Sequence, residues 1–381
     1  MIKTTYTYSF ICVLLYLTFS QVALGAINPA EKSVNGSQKN ITVIKDIDLM
    51  GDTLRLDANS KLIFNGGIIK NGVLIGHNST IVCKKHAFKN VTIKGTWNIP
   101  VIYSYWFQDL SYDNALRDVI ALTNPNVHNK VIIGSGAYTM NIAENHGKGL
   151  VIDDNTELII NGKITLKPNS WTNYDIIHVK GNNIKISGKG MIVGDKHNHL
   201  GKKGEWGMGI MIYGANNVHV SDLTIKNCWG DCVYIGGNSH TVVVENCILD
   251  HGRRQGISVT SGKAIVLQDL KISNVGGTNP EYAIDVEPNK NGIVEDVLIK
   301  NVSADRCKGG FLVYGKSSGA RIGKVCIENC YIANTTKIPI RVQKCDEIII
   351  KGCTLPSALW IGRVIDIDEC KTQDLRNNKM K

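Results

Sequence analysis

The chain has 381 residues, 43% of them hydrophobic and 20% charged, with a formal net charge of +10 at neutral pH. With 38 Gly and only 8 Pro it is neither collagen-like nor a proline-rich linker. The basic balance gives a mild preference for acidic polymers such as uronate-containing glycans, and equally describes an ordinary lysine-rich surface.

In chain order, residues 1–25 read as an export signal. Lys3 supplies a positive start, "FICVLLYLTF" is an apolar run too short to span a bilayer, and "ALGA" offers small residues for cleavage near Gly25. Cys12 lies inside the apolar run, away from where a lipid-anchored cysteine belongs. No later segment reads as a membrane span, so the expectation is a secreted or periplasmic protein with no membrane insertion. There disulfides are permitted, though not required. Residues 26–125 form a lead-in. Within it "TLRLDANSKLIFNGGIIKNGVLIG" reads as short strands and turns, and "SYDNALRDVIAL" as one helix beginning near Ser111, whose apolar face would cover an open sheet edge.

Residues 126–370 are periodic. "GIMIYG" (209–214), "CVYIGG" (232–237), "GISVTS" (256–261), "AIDVEP" (283–288), "GFLVYG" (310–315), "PIRVQK" (339–344) and "VIDIDE" (364–369) start 23 to 29 residues apart. Each alternates apolar and variable positions, which buries one face of a strand and leaves the other to solvent or ligand. The inward pairs are Ile210 and Ile212, Val233 and Ile235, Ile257 and Val259, Ile284 and Val286, Phe311 and Val313, Ile340 and Val342, Ile365 and Ile367. Further short apolar runs lie between them, so each repeat has two or three strands. That is one rung of an all-β, single-stranded parallel β-helix, a solenoid with an amino-terminal cap that includes the short helix. Residues 371–381 read as a polar tail.

Asn227, Asn246, Asn274, Asn301 and Asn329 recur after the middle strand of a rung, with Gly188 and Gly352 in the same place at the ends. Asn and Gly tolerate a left-handed bend, and stacked amides can bond from rung to rung, which makes this an inward structural ladder. "NVS" at 301 and "NTT" at 334 match glycosylation acceptors, but Asn301 belongs to that ladder. Cys228, Cys247, Cys330 and Cys353 follow ladder positions and are expected to stack as small buried residues. "NCWGDC" and "CIENC" are CxxxC, a weak zinc signal, so no metal site is assigned.

These rungs resemble the right-handed parallel β-helix proteins of the pectin-lyase-like superfamily, which include polygalacturonases, pectate lyases and phage tailspike depolymerases. "GDCVYI" looks like the polygalacturonase "GDDCIAI" motif with one acid missing, and "RRQGISVTS" like "GHGISIGS" with its histidine replaced by Gln255. The "NTD" motif is replaced by "WGMGIMI", preceded by Glu205, and "YAIDVEPN" stands where "RIK" is absent. The resemblance therefore implies the superfamily, with right-handed coiling, and not a true polygalacturonase.

The outward stripe across these rungs holds Met211, Tyr213, Tyr234, Ser258, Thr260, Asp285, Glu287, Leu312, Tyr314, Arg341 and Gln343. Asp231, Arg253 and Arg254 enter from adjoining turns. Glycoside hydrolysis needs one carboxyl to protonate the leaving group and one to activate water or attack. Asp231 and Asp285 are two rungs apart, about 10 Å at ~4.8 Å per rung, and side-chain reach could bring them into the roughly 6.5–9.5 Å range of inverting enzymes. The reading is a polysaccharide-active glycoside hydrolase acting on an acidic glycan. In it Asp231 is the acid, Asp285 or Glu287 the base, and Arg253 and Arg254 bind uronate. Tyr213, Tyr234, Trp229, Tyr314, Glu205 and His251 complete the candidate groove. The alternatives are a lyase that uses Ca²⁺ and β-elimination, and a non-catalytic glycan-binding β-helix. The hydrolase needs no cofactor, and the implied partner is a polysaccharide and not a nucleic acid.

Overall fold

A computed structural model describes residues 22–23, 40–108, 115–357 and 363–381. Most of the export-signal reading and the predicted helix start at Ser111 lie outside the described residues. From Val101 onward the chain is a parallel coil with three faces. The first face runs from Lys148–Ile152 through Asn173–Val179, Trp206–Tyr213, Val233–Gly236, Ile257–Val259, Tyr282–Val286 and Gly309–Tyr314 into Ile340–Lys351 and Ile365–Arg376. The second begins at Val101–Tyr103 and Asn129–Ile133, and the third runs from Ala137–Met140 to Lys379–Met380. Residues 371–381 are thus not a tail: they complete the last rung by pairing with the one before.

The inward pairs hold as read from Ile210 to Val342, each fully buried, and they form one continuous core. Ile365 and Ile367 are only partly buried, with no further rung stacked on them among the described residues. In five successive rungs a small residue stands immediately before the inward pair of the first face, Gly209, Cys232, Gly256, Ala283 or Gly310. A Cβ on Gly310 would stand 2.3 Å from the Pro339 carbonyl and 2.8 Å from an Ile332 methyl, so the rungs close there only without one.

The asparagines do bend the chain left-handed, with φ between 50° and 56°, but they face solvent or the surface and not the core. They also belong to two corners. Asn246, Asn301 and Asn329 share the bend between second and third faces with Asp222 and Asp269, whereas Asn227 and Asn274 follow the third face, as do His251 and Arg306. Their amides mostly cross to carboxylates of the preceding rung, Asn274 to Asp250 at 2.8 Å and Asn301 to Asp269 at 3.0 Å. Like-for-like amide stacking occurs elsewhere, through Asn155, Asn183 and Asn217. The four ladder cysteines are buried as expected, and the ten described cysteines are all free thiols.

The lead-in forms smaller parallel sheets from Asn40–Val43, Lys61–Phe64, Ile69–Val82 and Phe88–Trp97, closed around Phe88 and Trp97. The predicted helix is present over Ala115–Ile120. Leu116 and Val119 are buried, Asp118 accepts the Ile93 amide at 3.0 Å, and the helix packs on Lys148–Ile152, the otherwise open first strand of the first face. No described helix is long and apolar enough to cross a membrane.

Gly310→Val should lower stability by about 1–3 kcal/mol through overpacking. Its thermal midpoint against the wild type checks this, and an unchanged midpoint would mean the rungs can part there without loss.

Candidate functional site

Unslipped register on the first face fixes which outward residues are neighbours. One row runs His178, Met211, Tyr234, Ser258, Asp285, Leu312. A second, at the strand entries, stacks Asp231, Gln255 and Tyr282, because Gly209, Cys232 and Gly256 amides donate to the carbonyls of Asp231, Gln255 and Tyr282. Asp231 and Asp285 are therefore two rungs apart, as the repeat predicts, with Ser258 and Gln255 on the rung between.

Pointing outward does not make these residues exposed. Asp231, Gln255, Ser258 and Asp285 are all at most 1% accessible. Ser258 Oγ donates to Asp231 Oδ2 at 2.7 Å and Arg254 Nη1 donates to the same oxygen at 3.1 Å. Gln255 Nε2 donates to Asp285 Oδ2 at 2.9 Å, while the Gln255 amide oxygen accepts the Tyr282 N–H at 2.7 Å. Asp231 Oδ1, Asp285 Oδ1 and Arg254 Nε are buried without a partner. Such orphans carry a penalty of about 1–3 kcal/mol apiece, more when charged, and their clustering on one face points to a site under functional constraint.

Burial pushes the Asp231 carboxyl above the ordinary range, against the pull of Arg254 and Ser258. Burial, followed by the negative charge of the adjacent Glu287, holds the Asp285 pKa well above it. For Arg254, burial works against the charge, yet Asp231, Asp285, Glu205 and Glu287 together hold its pKa above the usual value. One guanidinium thus sits among four carboxylates. Two are sealed, Asp231 and Asp285, and two are part-exposed, Glu205 and Glu287.

The assignment of Asp231 as the proton donor to a substrate needs correction. It lies beneath Arg254 and Ser258, and its position suits it to hold the guanidinium. Both arginines expected to bind uronate are engaged within the protein. Arg254 is paired with Asp231. Arg253 lies 3.7 Å over the Trp229 ring and donates to the Gly204 carbonyl at 3.2 Å. Trp229 is not an open sugar platform either, since His199 stacks on it with ring centroids 4.0 Å apart and Arg253 packs on it as well. His251 is a corner residue with φ 55°, bound to Asp250 at 2.7 Å. Tyr213 is open to solvent, its ring laid over Gly237, where a Cβ would come within 2.8 Å. Tyr234 accepts the Thr260 hydroxyl at 2.8 Å, and burial raises its phenol pKa. Tyr314 is half-buried beside Gln343.

Sequence reasoning missed a cluster under the segment that carries Glu205. Asp195 accepts from Tyr174, from His199 Nδ1 at 2.8 Å and from Asn169 Nδ2 at 2.9 Å, and His199 lies between the rings of Tyr174 and Trp229. It also missed Asp175 and His178, bonded at 2.8 Å on the first face. "YDIIHV" has the same strand pattern as the other rungs. The segment preceding Trp206 lengthens that repeat, so spacing alone does not find it. Among the described residues no three Asp, Glu, His or Cys side chains converge to hold a metal.

Residues 131–293 match the family described as right handed beta helix region. The chain is 28% identical over 231 residues to the SPbeta prophage-derived uncharacterized protein YorA of Bacillus subtilis, covering 54% of this chain and 38% of that one. It is 29% identical over 177 residues to the uncharacterized protein YclG of the same organism, covering 41% and 30%. The chain thus spans less than two fifths of the length of either relative. Among solved structures, a hyperthermoactive exopolygalacturonase from Thermotoga maritima superposes with a TM-score of 0.51 at 14% identity, covering 67% of this chain and 71% of that one. The rung pattern, the three parallel faces and these likenesses agree on the fold: the chain is a right-handed parallel β-helix.

Proposed function

We propose that this chain is a polysaccharide-cleaving enzyme of the hydrolase type, acting outside the cytoplasm. The observation that carries the reading is the division of the four carboxylates around Arg254 into two sealed and two open. Glu287, next to buried Asp285 whose raised pKa favours the neutral form, and Glu205 on the other open side are the groups a glycan can touch. Together they offer the acid and base that glycosidic cleavage requires. Asp231 and Asp285 act behind them, Asp231 by fixing Arg254 and Asp285 through its buried carboxyl next to Glu287. The shared fold of an exopolygalacturonase supports a glycan as the substrate class.

The expectation of an acidic glycan rests on Arg253 and Arg254. With both engaged in the protein and acids crowding the groove, the geometry supports a neutral glycan better, since a substrate carboxylate would add like charge to a desolvated site. No cofactor is invoked.

Incubation with neutral, amino and uronic polysaccharides, with and without chelator, should release new reducing ends and no ultraviolet-absorbing unsaturated product. Glu287→Gln and Glu205→Gln should each lower kcat by about 10²–10⁴-fold. An unsaturated product would replace this reading with the lyase, and binding without cleavage would replace it with the scaffold.

The protonation of Asp285 is tested separately. Its folded pKa lies above the unfolded value of 3.8, so the folded chain keeps a proton that the unfolded chain gives up. Stability is then lost as pH rises from the unfolded pKa toward the raised folded one, the reverse of a salt-bridged aspartate. Asp285→Asn is neutral throughout, so its thermal midpoint should gain on the wild type as pH rises above the unfolded value of 3.8. A midpoint difference that does not change with pH would show that Asp285 is not buried in its protonated form.

A further inference from the structure

Two rungs toward the amino-terminal end from Asp231, the same face carries a third buried acid, one that the cleavage reading does not use. Asp175 stands in register with Met208, and Met208 with Asp231. His178 stands in register with Met211, and Met211 with Tyr234. Ile177 and Val179 are fully buried in the core, so His178, between them, points outward, and its bond to Asp175 Oδ2 at 2.8 Å puts that carboxylate on the outer side too. The Asp175 side chain is only 5% exposed and its Oδ1 has no partner, while His178 keeps 10% of its side chain open to solvent.

A buried Asp–His pair that served packing alone would have both carboxylate oxygens satisfied. Here one is satisfied and the other waits for a donor. Its neighbours toward Asp231 are the thioethers of buried Met208 and part-exposed Met211; neither donates a hydrogen bond, and Met211 offers apolar surface of the kind the face of a sugar ring covers. We propose that Asp175 and His178 form a sugar subsite about 10 Å from Asp231, two rungs along the groove at ~4.8 Å each, for a residue presenting a hydroxyl or amino donor and not a carboxylate. The inference rests on the glycan-cleaving reading for the class of its ligand. It goes beyond that reading in setting the direction in which the chain lies and the length it must have to be held.

The test is calorimetric titration of the full chain with size-graded oligosaccharides made from a neutral glucan, from chitosan and from polygalacturonate. The proteins are the wild type, Asp175→Asn and His178→Gln, each also carrying Glu287→Gln to suppress turnover, with thermal midpoints measured alongside. In a neutral or amino ladder, affinity should rise once the oligosaccharide is long enough to pass beyond Asp231. Asp175→Asn should remove about tenfold or more from the long members only, as expected for a lost hydrogen bond to a charged group. Equal affinities in all three proteins, equal losses at every length with a lowered midpoint, tightest binding of the polygalacturonate ladder, or no binding at all would each overturn the proposal. Length-dependent loss in a protein whose wild type cleaves nothing would sink the hydrolase reading and leave the subsite standing.

Discussion

The structure depends on one constraint, the parallel backbone pairing that repeats from rung to rung without slipping. A slip of one residue would turn every side chain of a strand to the other face. The fully buried pairs from Ile210 to Val342 fix the register, because each must land on the pair below it. Once they do, the outward residues have no choice of neighbour. Ser258 stands against Tyr234 on one side and Asp285 on the other because Val233, Ile257 and Ile284 are stacked behind them. The geometry of the site is therefore inherited from the core.

That inheritance explains how two carboxylates come to be buried without being in the core. A charge taken from water must be paired, hydrogen-bonded or neutralised. Asp231 has the first two through Arg254 and Ser258, and Asp285 has the second through Gln255, with a raised pKa that favours the third. Each still has one oxygen with no partner. A fold selected for stability alone has simpler outward residues for those positions, as the charged and hydroxyl side chains along its second and third faces illustrate.

What the sequence made legible follows the same division. Period-two alternation and a 23 to 29 residue repeat reveal the rungs, the inward pairs and the two-rung spacing of Asp231 and Asp285, because these are properties of a strand and its stacking. Burial of the outward stripe was not legible. It depends on segments that connect the faces, and alternation says only which way a residue points, not what lies over it. Trp229 and Arg253 illustrate the difference: each has the chemistry of a sugar-binding residue, and each spends it on the other. The asparagines show a related limit, since five residues of one type serve two corners, and identity alone does not say which.

The part of the site that the rungs do not dictate is carried by the segment between Val193 and Trp206, and it is held almost as firmly as a strand. Asp195 gathers Tyr174, His199 and Asn169, and the rings continue outward as Tyr174, His199, Trp229 and then the Arg253 guanidinium. Two glycines make that column possible. A Cβ on Gly207 would reach 2.4 Å from the Tyr174 ring and 2.8 Å from the Trp229 Cβ, and one on Gly230 would stand 2.5 Å from the Glu205 carbonyl. The segment bearing Glu205 is thus pressed against the turn that delivers Asp231, with no side chain between them. A solenoid supplies a flat and repetitive surface. Here the irregular segment, locked to the rungs by a buried carboxylate and a stack of rings, brings Glu205 into the electrostatic field of Arg254 from outside the repeat. The repeat can place Asp231, Asp285 and Glu287 along its own axis, but a carboxylate on the far side of Arg254 has to come from a connection, which makes the Asp195 cluster as much a determinant of the site as the rungs beneath it.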